Sequence, residues 1–298
     1  MSQSERDDNW NEGHFSSHDG LNLYARHYPA NSGTARPVLC LPGLTRNSKD
    51  FHVLATHLSE HAERPRNVYC LDYRGRGQSD YDPATQNYTP YIELLDVLNF
   101  MTINGLHEAA VIGTSRGGII AMLMAVMRPT AISVCVLNDI GPVIETGGLA
   151  RIVGYVGRTP IPANWQEAGE IVRRMNEQFF PDISDDEWEA VARQWFSETD
   201  GNLRPDYDTK LSQVMEEIDL TKKVPEMWPQ YRALGHAPTL ILRGEHSDLL
   251  SEETVTKMLE HHPSAKLHTV PDQGHAPFLR DMATVETIAG FLEAADQA

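Results

Sequence analysis

The stretch "VIGTSRGGIIA", residues 111–121, sets Ser115 between Gly113 and Gly117, directly after one short apolar run and before a longer one. A chain that turns sharply from strand to helix needs glycine at the two positions where a side chain would collide, and it exposes the serine oxygen at the mouth of the turn. Such a turn strains the Ser115 backbone and sets it beside a helix N-terminus, where the dipole favours negative charge. A serine hydroxyl is a weak nucleophile until a base takes its proton, so a histidine must lie within reach. Of the 13 histidines, only His275, in "VPDQGHAPF", follows a late strand through a glycine loop, beyond a strand's carboxyl end, where ligands of open α/β sheets bind. His52, His57, His61, His107, His261 and His262 fall on expected helices or helix ends, where solvated or packing roles are ordinary.

The base needs a carboxylate to fix its tautomer and stabilise the imidazolium. "LRGEHSDLLS" offers Glu245 and Asp248 just past another strand. Asp248 is the preferred acid, although either carboxylate could instead cap the helix that begins near Ser251. The oxyanion formed in acyl transfer must meet preorganised backbone N–H groups. One comes from Arg116 in the turn itself, and the natural second is Leu44 in "CLPGLTRN", where Gly43 ends a strand and lets the chain approach a substrate closely. The Arg116 side chain has two readings, an ordinary salt bridge or a partner for a substrate carboxylate.

These groups need a sheet edge to hold them. "LNLYARHYP" alternates like a half-buried strand, and "RPVLCLPG", "NVYCLDYRG", "AAVIGTS", "AISVCVLND", "PTLILRGE" and "AKLHTVPDQG" follow as compact apolar runs ended by turn residues. Between them Phe51, Leu54, Ala55 and Leu58 share a helix face, as do Tyr91, Leu94, Leu95 and Leu98 behind the cap Thr89 and Pro90. Strand–helix alternation predicts an α/β fold with a mostly parallel sheet. It stops after "NDIGPVIETGG" and resumes near "HAPTLILRG", so the expected organisation is a core of residues 1–142 and 235–298 with an inserted helical cap, or lid, over 143–234. Within the cap, "SDDEWEAVARQWF" opens with a capping box, Ser184 and Glu187, and sets Trp188, Val191, Ala192 and Trp195 on one stripe.

The chain has 298 residues, 41% hydrophobic and 22% charged, the profile of a folded globular protein. Its formal net charge of -17 would repel nucleic-acid phosphates and an anionic membrane surface, so neither is an expected partner. The opening "MSQSERDDNW" lacks a secretory pattern and no run is long enough to span a bilayer, which makes the cytoplasm the expected location. Cys40, Cys70 and Cys135 lie inside apolar strand runs and read as core residues, in keeping with a reducing compartment. No metal or cofactor signature is present. A homo-oligomer is compatible with everything above.

Taken in order, "LPGLTRN", "LDYRGRGQSD", "GTSRGG", "LRGEHSDLLS" and "DQGHAPF" resemble the α/β-hydrolase superfamily over most of the chain. The chain order Ser115, Asp248, His275 is that superfamily's order. The resemblance implies an α/β-hydrolase fold with a substrate-selecting lid and a chiefly structural role for Arg74, Gly75, Gly77 and Ser79. It also admits a third acid, Asp139 in "NDIGP", because some enzymes of that fold carry the acid there. Pro42 departs from the histidine that many relatives have before the glycine, without removing an N–H that the oxyanion needs. The implied chemistry is hydrolysis of a small-molecule ester, lactone or related acyl bond through an acyl-enzyme. Carbon–carbon bond hydrolysis, perhydrolysis, acyl transfer and a receptor that binds without turnover remain open at this stage.

Overall fold

In the computed structural model, which describes residues 9–32 and 35–297, the apolar runs become strands. These are β1 (Asn11–Ser16), β2 (Asn22–Tyr28), β3 (Val38–Leu41), β4 (Val68–Leu71), β5 (Ala109–Thr114), β6 (Ile132–Asn138), β7 (Phe196–Thr199), β8 (Asn202–Pro205), β9 (Thr239–Gly244) and β10 (Lys266–Val270). Eight of them form one sheet in the order β1-β2-β4-β3-β5-β6-β9-β10. The pairs β1–β2 and β2–β4 are antiparallel and the rest are parallel. This is the α/β-hydrolase fold. β1, which no apolar run announces, is an edge strand whose buried residue is Phe15 alone, so it carries no hydrophobic signature.

The parallel strands are apolar throughout because the sheet is covered on both faces. Leu39 and Leu41 of β3, Val111 of β5 and Cys135 and Leu137 of β6 pack with helices α2 (Pro90–Ile103) and α3 (Arg116–Met127). The alternate residues Val38, Cys40, Ala110, Ile112, Val134 and Val136 face the opposite layer, built from Phe51, Leu54 and Leu58 in and beside the short helix α1 (His52–Thr56) and from the C-terminal helix at Met282–Gln297. Helix α2 begins as its sequence requires, with Thr89 accepting from the Ile92 N–H and Pro90 in the first turn. Cys40, Cys70 and Cys135 are buried and form no disulfide.

Every loop that carries a candidate group leaves a parallel strand at its carboxyl end. Gly43 follows β3, Ser115 follows β5, Asp139 follows β6, Ser247 and Asp248 follow β9, and His275 follows β10. The shared strand direction therefore gathers residues far apart in sequence at one edge.

Between β6 and β9 the chain builds α4 (Thr146–Tyr155), α5 (Trp165–Asn176), α6 (Asp185–Trp195), the β7–β8 ribbon and two short helices, Leu211–Glu216 and Trp228–Ala233. The capping box of α6 forms on Ser184 and Glu187. Trp188, Val191 and Ala192 are buried against Ala168, Ile171 and Val172 of α5 in a small core of their own. The ribbon departs from the largely helical reading of this segment. Its signal is Asp200-Gly201, both with positive φ, the dipeptide that closes a tight two-residue hairpin.

Candidate active site

Ser115 has φ 49° and ψ −109°, a strained conformation for a non-glycine residue, and the neighbouring turns enforce it. A Cβ on Gly113 would stand 2.5 Å from the Gly117 carbonyl carbon, and one on Gly117 would stand 2.0 Å from the Leu41 carbonyl oxygen. The two flanking positions accept nothing larger than hydrogen, so strand, turn and helix close on one another. The Ser115 carbonyl accepts from the N–H groups of Gly118 and Ile119, which starts α3 with Ser115 at its N-terminal boundary.

His275 Nε2 lies 2.9 Å from Ser115 Oγ. Its Nδ1 lies 2.8 Å from Asp139 Oδ2. Asp139 is wholly buried and held from three sides. Its Oδ1 accepts from the Gly244 N–H at 2.8 Å, and its Oδ2 accepts from Ser247 Oγ at 2.6 Å as well as meeting the imidazole. Its φ of 55° is one that aspartate tolerates better than most residues, and that turn aims the carboxylate back along the sheet edge.

Asp248, the acid expected from the sequence, does not reach His275. It forms a bidentate pair with Arg151 of α4, at 2.7 Å to Nε and 2.9 Å to Nη2. Burial opposes its ionisation, but Arg151 outweighs it and the Asp248 pKa lies below the ordinary value. The physical reason for the correction is that the β9 loop turns first through Ser247, which bonds to Asp139, and delivers the next side chain to Arg151 of α4. Glu245 accepts from the Asp272 N–H at 3.2 Å and takes no part in the Ser115–His275 chain.

Leu44 and Arg116, the expected oxyanion donors, flank Ser115 on the wall of one cavity. The N–H of Arg116 lies in the first helical turn, where no intrahelical acceptor exists, and the Gly43 carbonyl takes the Arg46 N–H at 3.2 Å to close the turn around Leu44. The Arg116 side chain settles on the ordinary reading. Its Nε bonds Glu93 Oε2 at 2.7 Å and its Nη2 bonds the Tyr88 carbonyl at 2.9 Å.

That contact belongs to a network the sequence reading did not anticipate. Glu93 and Arg76 are both wholly buried, with Arg76 Nη2 2.8 Å from Glu93 Oε1. Arg76 Nε donates to the Leu44 carbonyl at 2.8 Å. The two residues expected to supply the oxyanion N–H groups are therefore joined through Arg76 and Glu93. Burial disfavours the Glu93 charge, yet Arg116 and Arg76 override it and hold its pKa below the ordinary value. The available signal was "DYRGRGQSD", where a second arginine must find a countercharge. The first, Arg74, is wholly buried among Asp19, Asp82 and Asp96, and Ser79 donates to the Asp72 carbonyl at 2.7 Å.

Two cavities meet at Ser115. One, of about 500 Å³, is apolar and includes Ile119, Ile140, Ile144, Leu149, Met215 and Ile218. The other, of about 70 Å³, is lined by Ser115 and His275 together with Arg46, Arg151, Tyr155 and Trp195. Among the described residues, no helix is long and apolar enough to cross a membrane.

Comparison with known proteins gives consistent results. A family model described as "Alpha/beta hydrolase family" matches residues 38–287. A solved structure of an alpha/beta hydrolase from Novosphingobium aromaticivorans is 37% identical with a TM-score of 0.89, covering 96% of this chain and 98% of that one. A 3-hydroxybutyrate-oligomer hydrolase of Cupriavidus necator is 28% identical over 93% of this chain and 94% of its own length. An sn-1-specific diacylglycerol lipase of Mus musculus is also 28% identical, over 81% of this chain and 76% of its own length.

Proposed function

Because the chain belongs to the alpha/beta hydrolase family, we propose that it is a serine hydrolase that cleaves carboxylic esters through an acyl-enzyme, with Ser115, His275 and Asp139 as its triad. The observation that carries this reading is the continuous hydrogen-bond chain from Ser115 Oγ to a buried carboxylate, 2.9 Å and 2.8 Å in its two links, built on a strained serine turn.

The steps follow from the geometry. His275 Nε2 takes the Ser115 proton as Oγ attacks the ester carbonyl. The carbonyl oxygen becomes an oxyanion and turns to the N–H groups of Leu44 and Arg116. The tetrahedral intermediate collapses as His275 returns the proton to the departing alkoxide, leaving an acyl group on Ser115. Water then gives a proton to His275 and attacks the acyl carbon, and the proton returns to Ser115. Throughout, Asp139 accepts from His275 Nδ1–H and so presents Nε2 to the serine. Its three bonded contacts leave the carboxylate no freedom to turn away.

Support for the substrate comes from shape and from relatives. The apolar cavity beside Ser115 suits an acyl chain, and one relative with near-complete mutual coverage is a 3-hydroxybutyrate-oligomer hydrolase. A short oligoester of a hydroxy acid is thus the substrate class we assign.

A panel of p-nitrophenyl acetate, butyrate and octanoate, a γ-lactone and the 3-hydroxybutyrate dimer tests this reading beside Ser115→Ala. The expected result is turnover of the butyrate ester and the dimer, lowered in Ser115→Ala by a factor on the order of 10⁴ or more. Absence of ester turnover in the wild type, or full turnover in Ser115→Ala, overturns it.

A further inference from the structure

Two residues that line the smaller cavity carry donors that the protein itself does not use. Arg46 Nη1 and Trp195 Nε1 are buried atoms without a hydrogen-bond partner among the described residues, and both residues line the cavity shared by Ser115 and His275. The remaining guanidinium nitrogens of Arg46 are engaged, Nε at 2.9 Å from Asp50 Oδ2 and Nη2 on Asp50 Oδ1. The Arg46 guanidinium lies over the Trp195 ring, 4.4 Å from its centroid. Buried donors are normally paired, so two unpaired ones on residues that line a single cleft call for an acceptor from outside the chain.

Charge narrows the class of acceptor. Asp50 lines the cavity, but Arg46 and Arg151 line it as well. Asp248, the countercharge of Arg151, lies outside the lining. A chain of net charge -17 repels anions at long range, yet the lining of this recess carries two guanidiniums and one carboxylate, with Asp248 paired to Arg151 just outside it. Distance from the nucleophile is short: a methyl group on Gly43 would touch Arg46 Cγ at 3.2 Å and Ser115 Cβ at 3.9 Å.

The recess is also braced. Asn47 Nδ2 bonds Asp206 Oδ2 at 2.9 Å, and Lys49 Nζ meets the same carboxylate at 2.7 Å. The Arg46 loop is therefore pinned to the inserted segment that supplies Trp195, and the donors are held in position before a ligand arrives.

We propose that this recess is a carboxylate subsite, in which Arg46 Nη1 and Trp195 Nε1 donate to a substrate carboxylate and Arg151 adds a second positive charge. The inference rests on the serine-hydrolase reading above and sharpens its substrate class. The preferred ester carries a free carboxylate on a short arm, while its longer apolar arm lies in the 500 Å³ cavity. The terminal unit of a hydroxy-acid oligoester has that form, so cleavage would proceed from the carboxylate end.

The test compares kcat/KM for the 3-hydroxybutyrate dimer as free acid and as its methyl ester, with p-nitrophenyl butyrate alongside, in wild type, Trp195→Phe and Arg46→Gln. The wild type should prefer the free acid about tenfold or more, the scale of one charged hydrogen bond. Each variant should shrink that preference by about tenfold, chiefly through KM. Trp195→Phe keeps a ring under Arg46 and removes the N–H, so it decides the matter if Arg46→Gln fails to fold. Equal wild-type rates on acid and methyl ester, or variants that lower both in proportion, overturn the subsite. A wild type inert toward p-nitrophenyl butyrate as well overturns the serine-hydrolase reading, and the subsite with it.

Discussion

Asp139 Oδ2 stands 2.8 Å from His275 Nδ1, although the two residues lie on loops after strands that are not neighbours in the sheet. β9 runs between β6 and β10, and its loop supplies the Gly244 and Ser247 donors that fix the carboxylate. Asp139→Asn should therefore lower kcat by about 10⁴, since an amide presents the wrong partner to the imidazole. Asp248→Asn removes only the partner of Arg151 and should cost about 1 kcal/mol of stability, with kcat toward p-nitrophenyl butyrate within about tenfold of wild type. Steady-state kinetics on the two variants checks the assignment, and the reverse ranking contradicts it.

Glu93→Gln should act on stability first. It leaves Arg76 and Arg116 with an uncompensated charge, a loss of about 3–5 kcal/mol for a buried pair. The pH dependence has a definite sign. Glu93 titrates below the ordinary carboxylate value when folded, so its contribution is complete above the unfolded pKa of about 4.3 and disappears as pH falls through the folded value. The gap between wild type and variant in urea unfolding should hold steady from about pH 7 to pH 5 and narrow below about pH 4. A gap independent of pH contradicts the network.

Arg116→Met keeps the main-chain N–H and removes the contact to Glu93. Its loss should fall on kcat through a loosened oxyanion turn, and by the same factor for carboxylated and neutral esters. A selective loss on the carboxylated ester would return substrate recognition to Arg116.

Gly117→Ala should destabilise by about 3 kcal/mol or more, because its new methyl would run into both the carbonyl and the Cβ of Leu41 in β3. Gly154→Ala, in the last turn of α4 with nothing within 4 Å, should stabilise by about 0.5 kcal/mol. Urea denaturation of the pair measures both signs at once.

Much of this is legible in the sequence itself. The strand runs, the serine between its glycines and the late glycine–histidine loop are local patterns, and each produces its element directly. The acid is not local. Asp139 and Asp248 follow different parallel strands and arrive at the same edge, and the choice depends on a left-handed turn at Asp139 and on two donors from the β9 loop. Arg76 and Glu93 were equally hidden, since their pairing exists only once α2 packs beside the β4 loop. β1 escaped because an edge strand with one solvated face has no apolar run to read.

In the proposed mechanism Ser115 carries the covalent intermediate. Its most direct test is intact-protein mass spectrometry after reaction with phenylmethylsulfonyl fluoride, followed by peptide mapping. One sulfonyl adduct per chain is expected on the peptide bearing Ser115, absent in Ser115→Ala and slowed by on the order of 10² or more in His275→Ala. An adduct on another serine, or undiminished labelling of Ser115→Ala, would contradict it.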